Sequence, residues 1–248
     1  MRLHARAKLT VSLRVTGLRA DGFHLIDAEM ISLDLADVID INVAPESSMS
    51  VDGPYAEGVP VDESNLVMRA LSFAGRTARV AVTKNIPHGG GLGGGSADAA
   101  AVLRWAGVED ADAASTLGAD IPFCLVGGRA RVRGVGEIIE PMPHVDRDIT
   151  LFIPPVHVST PLVYRTWDDM GGPVGDMGND LEPAAVRAVP ELAMWRDLIA
   201  DLIGERPHLA GSGATWFAEG HRGSDNLLGI EHPRGMTVIH TRSVTATP

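Results

Sequence analysis

Residues 85–101 read "NIPHGGGLGGGSADAAA", with six glycines in the seven positions from Gly89 to Gly95 and an alanine-rich run directly after them. Glycine loses more backbone freedom on folding than any other residue and has nothing to pack. A globular chain therefore concentrates it only where bare backbone is needed. The preceding stretch "ARVAVTKNI" (78–86) alternates as a strand does. The run from Ala97 to Ala106 reads as a helix, with Ser96 as its N-cap and Gly107 as its stop. Strand, glycine loop and helix N-terminus together make an anion site, because backbone N–H groups converge there and the helix dipole adds positive potential. The length of the loop suits a triphosphate. A Walker A loop is excluded, since the end at Gly95-Ser96 carries no lysine. A dinucleotide GxGxxG can be laid over Gly89, Gly91 and Gly94, but the loop is too long for it. No strand ending in a ribose-binding acid follows about 20 residues on.

Elsewhere the chain alternates between strand and helix patterns. "KLTVSLRV" from residue 8 predicts a half-buried strand, with Leu9, Val11, Leu13 and Val15 facing the core and Lys8, Thr10, Ser12 and Arg14 facing out. "RADGFH" is a turn and "VIDINV" (38–43) a strand, while 45–62 reads as loop or hairpin. A helix is expected over 63–75 behind Ser64, and a short one over 110–120. A hairpin over 128–141 turns at Gly134-Val135-Gly136, and strands follow at 148–155 and 235–244. Residues 182–204 read as helix, broken or restarted at Pro190. A second Gly/Ser turn, "GSGAT" (211–215), leads into apolar residues. The fold class is α+β, in two subdomains sharing a cleft, with a boundary near Pro141 and Pro143.

The formal net charge of −11 repels phosphate backbones, which argues against a nucleic-acid partner. The single cysteine, Cys124, excludes internal disulfides and reads as a buried core residue. Nine histidines form no HxH or HxxxH pair, so no metal motif is visible. No apolar run is long enough to cross a membrane, and the N-terminus has no signal-peptide core, so a cytoplasmic location is expected. There are 19 arginines but only two lysines, Lys8 and Lys84. Lysine is kept where a compact, movable ammonium matters.

"PHGGGLGGGSADAA" resembles the glycine loop of the GHMP kinases. "AKLTVSLRVTGLRADGFH", "LGADIPF", "VSTPLVY", the "ND" before "LEP" at 179 and "GSGAT" resemble, in order, motifs of the branch that phosphorylates 4-diphosphocytidyl-2-C-methyl-D-erythritol. The resemblance covers roughly residues 5–220. It implies an ATP-dependent kinase of isoprenoid precursor synthesis, in which the γ-phosphoryl moves to a tertiary hydroxyl of a cytidine diphosphate sugar-alcohol. Asp120 would deprotonate the hydroxyl and Lys8 would hold it and the transferring phosphoryl. Asn65, Lys84, Pro87, Gly89, Gly90, Gly91, Leu92, Gly93, Gly94, Gly95 and Ser96 would hold ATP. Phe23 and Tyr164 would sandwich the cytosine and His24 would meet its polar edge, with Thr10, Thr160, Gly211, Ser212 and Gly213 lining the rest of the substrate site. Mg²⁺ is expected with ATP, with no certain protein ligand; Asp98 is a candidate. Thr10 stands where that branch usually has Asn, and the span from Gly107 to Asp120 is shorter than usual. Two alternatives stay open: a kinase of another small alcohol, which Thr10 favours, and a silent nucleotide-binding homologue. The expected division is 1–145 for an ATP-binding domain and 146–248 for a C-terminal one.

Overall fold

A computed structural model describes residues 1–222 and 235–246. Its spine is one long antiparallel pair, β1 (Arg2–Leu18) and β2 (His24–Val43), joined through the Asp21-Gly22 turn. β3 (Ser48–Asp52) and α1 (Leu66–Phe73) lead into β4 (Ala78–Thr83), and the glycine loop then delivers the chain to α2 (Gly94–Ala106). Two short helices follow, α3 (Ala111–Ser115) and α4 (Ile121–Val126), then the hairpin β5 (Arg129–Gly134) and β6 (Ile138–Met142). The remainder is β7 (Asp148–Ile153), α5 (Thr160–Asp169), α6 (Glu182–Ala188), α7 (Glu191–Ile203), β8 (His208–Leu209), β9 (Trp216–Glu219) and β10 (Thr237–Val244). The fold is α+β, as the sequence indicates.

β1 runs along one edge of β2, and β5, β10 and β4 share the other edge in turn. β10 also pairs with β7, and β7 with β9, so the C-terminal strands join the same sheet. One apolar core lies between α1, α2, α4 and the sheet, and extends to α5–α7. A second, smaller core gathers Leu9, Ile31 and Leu151 around Ile86 and Leu92 of the glycine loop.

Several elements depart from the sequence reading. β1 does not keep one apolar face: Leu9 and Val11 join the second core, whereas Leu13 and Val15 join the first. A register shift between Thr10 and Ser12 explains it, because one extra residue exchanges the two faces of a strand. Lys8 and Thr10, expected outside, are buried. β2 extends to His24, far before residue 38; Ile26, Ala28 and Met30 face the core, while Asp27 and Glu29 pair with Arg131 and Arg129 of β5. The 45–62 segment holds a strand, not a hairpin: β3 pairs parallel with β4. Asn65, not Ser64, caps α1, its side chain accepting from the Val67 amide at 2.8 Å. Helices α4 and α5 have no counterpart in the sequence reading, while Pro190 caps α7 as expected.

Candidate functional site

The glycine loop is tied down by its own surroundings. The Lys8 amide donates to the Leu92 carbonyl at 3.0 Å, and the Leu92 side chain is buried in the second core. Gly93 takes a positive φ of 70° and is the N-cap of α2. The helix thus starts before Ser96, which sits in its first turn and is not the cap. A Cβ on Gly93 would lie 2.7 Å from Lys8 Cγ, and one on Gly91 would lie 2.8 Å from the Gly213 carbonyl oxygen. Gly90 is equally tight against Thr215 Oγ1. Bare backbone is therefore required at these three positions by the side chain of Lys8 and by the second glycine turn, before any ligand is considered.

Beside this loop opens a cleft of about 550 Å³. Its floor is β1, with Lys8 and Thr10, and its walls are Ala119 and Asp120 just before α4, then α5, the β5–β6 turn and the second glycine turn. Lys8 Nζ lies 3.3 Å from Asp120 Oδ2 and donates to Thr10 Oγ1 at 3.2 Å. The lysine side chain is only 8% exposed, whereas Asp120 is 34% exposed and open to the cleft. Asp120 stands just before α4, where the Pro122 ring sets the first turn. Two residues 112 positions apart in sequence thus meet beside the glycine loop. Thr10, expected on the substrate, lines the cleft, and its hydroxyl oxygen accepts from Lys8.

The far end of the cleft is aromatic. Tyr164 and His24 stack with ring centroids 4.6 Å apart, and Trp167 meets the His24 ring edge-on at 5.7 Å. Burial, and then the charge of Asp120, pushes the Tyr164 phenol up to about 12, so it stays protonated. Phe23 also lines the cleft but is 60% exposed, with the Arg19 guanidinium 5.5 Å from its ring centroid. Tyr164 stacks on His24, and Phe23 lines the same cleft. The Thr160 and Ser212 hydroxyls bond each other at 2.8 Å, closing α5 onto the second glycine turn. That turn is held from behind by Asn179, whose Nδ2 donates to the carbonyls of Leu209 and Gly211. Arg165 lines the cleft and engages no carboxylate among the described residues.

The second lysine is elsewhere. Lys84 Nζ donates to Asp37 and, at 2.7 Å, to Asp98 Oδ2, all three side chains being buried. Asp37 also accepts from the Asn85 and Ile86 amides, at 2.5 and 2.8 Å. Burial pulls the Lys84 ammonium down, but the charges of Asp98 and Asp37 outweigh it and its pKa is raised. Burial pushes the Asp98 carboxyl up to about 7, Lys84 opposing the shift and Asp37 adding to it. Asp98 points at Lys84, not into the cleft. No group of three or more metal-binding side chains exists among the described residues. Asn65 is likewise occupied, its Nδ2 donating to the Pro60 carbonyl at 2.7 Å.

The structure thus brings Lys8, Thr10, Phe23, His24, Gly91, Ser96, Asp120, Thr160, Tyr164, Gly211 and Ser212 to one cleft. Pro87, Gly89, Gly90, Gly93, Gly94, Gly95 and Gly213 form or support the two glycine turns without lining it, Leu92 is core, and Asn65 and Lys84 stand apart. Asp37 and Asp168 were not singled out from the sequence, since each reads as an ordinary surface acid. Cys124 is buried as expected, and burial, then the Asp120 charge, raises its thiol to about 12.

The GHMP kinases N terminal domain family matches residues 65–128. The 4-diphosphocytidyl-2-C-methyl-D-erythritol kinase of Paracoccus denitrificans (strain Pd 1222) is 39% identical over 242 residues, covering 88% of this chain and 87% of its own. That of Cereibacter sphaeroides (strain ATCC 17029 / ATH 2.4.9) is 36% identical and covers 97% and 98%. A crystal structure of a 4-(cytidine 5'-diphospho)-2C-methyl-D-erythritol kinase superposes with a TM-score of 0.77 at 31% identity, over 98% of this chain and 100% of that one. A mevalonate kinase, at 10% identity and a TM-score of 0.61, shares the fold.

Proposed function

This chain belongs to the 4-diphosphocytidyl-2-C-methyl-D-erythritol kinase family, and we propose on that basis how its cleft carries out the reaction of that family. The enzyme is an ATP-dependent kinase that phosphorylates 4-diphosphocytidyl-2-C-methyl-D-erythritol in isoprenoid precursor synthesis. The observation that carries the mechanism is the 3.3 Å approach of Lys8 to Asp120 beside the glycine loop. Asp120 accepts the proton of the attacking tertiary hydroxyl. That oxygen forms a bond to the γ-phosphorus, and the bond from the γ-phosphorus to the bridging oxygen breaks, leaving ADP. Lys8 faces the oxygens where negative charge gathers, and its burial keeps water from weakening that field. Thr10 fixes the ammonium from below.

Residues 1–145 supply the ATP-binding part, with the glycine loop and Ser96 around the phosphates. Residues 146–248 supply most of the far wall. Phe23 and Tyr164 flank the cytosine, a stacking contact that contributes about 1–3 kcal/mol per base. Arg165 and the turn at Gly211 and Ser212 face the diphosphate. Lys84 acts by holding the entry to the loop. Mg²⁺ keeps most of its waters and binds through substrate phosphates; it would arrive on ATP, since the described residues form no cage for it. The reaction belongs in the cytoplasm, where ATP is supplied.

The test is to incubate the pure protein with ATP, magnesium and the cytidine substrate and follow its mass. A gain of one phosphoryl group is expected. No gain, with ATP bound normally, would mean a silent homologue, and phosphorylation of homoserine or mevalonate instead would mean a different alcohol acceptor.

A further inference from the structure

We propose that Asp168 is a positioning residue which, through His24, makes the cleft select cytosine over uracil; this rests on the cytidine reading above. His24 Nε2 lies 2.8 Å from Asp168 Oδ1. An ionised carboxylate only accepts, so Nε2 carries the proton and the lone pair of the neutral ring stays on Nδ1. The ring cannot turn to exchange the two nitrogens freely. Tyr164 covers one face, Trp167 meets its edge at 90°, and Asp168 holds Nε2. These three side chains sit at i, i+3 and i+4 of α5 and so share one helix face. His24, at the first residue of β2, is received by that face, and its side chain is only 10% exposed.

Held this way, Nδ1 is an acceptor at the aromatic end of the cleft. Cytosine presents an exocyclic amino donor where uracil presents a carbonyl oxygen. The amino group can donate to Nδ1; the carbonyl would set two acceptors against each other and leave both unpaired. Phe23 and Tyr164 cannot make this distinction, because every base has a π-face. As an ion pair the contact would count for little, Asp168 being half exposed. Its consequence lies in the orientation and proton placement it imposes on His24.

The experiment compares wild type, Asp168→Ala and Asp168→Glu on the cytidine substrate and its uridine counterpart, with ATP saturating. Wild type should favour cytidine. Asp168→Ala should lower the cytidine-to-uridine ratio of kcat/KM by about tenfold, the worth of roughly one hydrogen bond. The loss should come from a higher KM for the cytidine substrate, with kcat and the KM for ATP unchanged, and Asp168→Glu should recover part of the ratio. A ratio that stays put in Asp168→Ala, or activity falling equally on both bases, overturns the proposal. Wild type that uses both bases equally overturns it while leaving the kinase reading intact. Wild type that phosphorylates neither overturns the cytidine reading, and this inference with it.

Discussion

The two lysines of this chain stand in opposite circumstances. Lys8 has one carboxylate at 3.3 Å, a threonine hydroxyl beneath it and an open cleft in front. Lys84 is enclosed between two buried carboxylates and does not line that cleft. Both are Lys–Asp contacts on either side of the same glycine loop, yet only the first opens on the cleft, where its remaining donor can meet a ligand. A buried cluster of paired charges is a structural clamp, and removing one partner strands the others. A lysine with one partly exposed carboxylate beside it and a cleft in front can bind a phosphoryl group. Asp37 makes the contrast concrete: it joins Lys84 to the amides of Asn85 and Ile86, fixing where β4 ends and the loop begins.

Breaking the open pair should have the largest effect. Asp120→Asn is expected to lower turnover by about 10²–10⁴, the usual worth of a general base, while the KM for ATP moves little. Steady-state kinetics with each substrate varied would show it, and unchanged turnover would remove Asp120 from the mechanism. Gly93→Ala should act on the same pair from the loop side. Its methyl meets the Lys8 stem at 2.7 Å in a backbone conformation that L-residues resist. Because small displacements of a reacting group are costly, turnover should fall by roughly 10–100-fold with a folded protein by circular dichroism. Normal kinetics in that variant would mean the loop does not set the position of Lys8.

The closed cluster should answer to pH instead. The Asp98 carboxyl, at about 7 in the fold, ionises near 4 when unfolded. Between those values the folded state holds an extra proton. The stabilisation from Asp98 is therefore complete below about pH 4 and is lost as pH rises through about 7. Asp98→Asn removes that dependence. Its melting temperature relative to wild type should climb by a few degrees from pH 5 to pH 8; a constant difference would show that Asp98 is ionised throughout.

Much of this was legible because it is local. The glycine run, β4 before it and the Gly107 stop of α2 follow from short stretches whose backbone needs are written in their own residues. Lys8 and Asp120 were named through motifs, yet nothing within either segment says that they meet. The β1 bulge was not readable, since "KLTVSLRV" alternates without interruption and only pairing to β2 reveals the slip. Asp37 sits in an alternating strand like any outward acid; its burial depends on amides 48 and 49 residues later. α5 escaped notice because it is short and polar along half its length, with Val163 its only fully buried residue. The register of the first half of β2 was within reach: Ile26, Ala28 and Met30 alternate with Asp27 and Glu29.

The most direct test of the division between the lysines is to measure, for Lys8→Met and Lys84→Met, the turnover per folded molecule together with thermal stability. Lys8→Met should melt close to wild type and lose nearly all turnover. Lys84→Met should lose about 3–5 kcal/mol of stability, while the molecules that remain folded still phosphorylate the cytidine substrate. A folded Lys84→Met protein without activity, or an active Lys8→Met protein, would contradict this assignment.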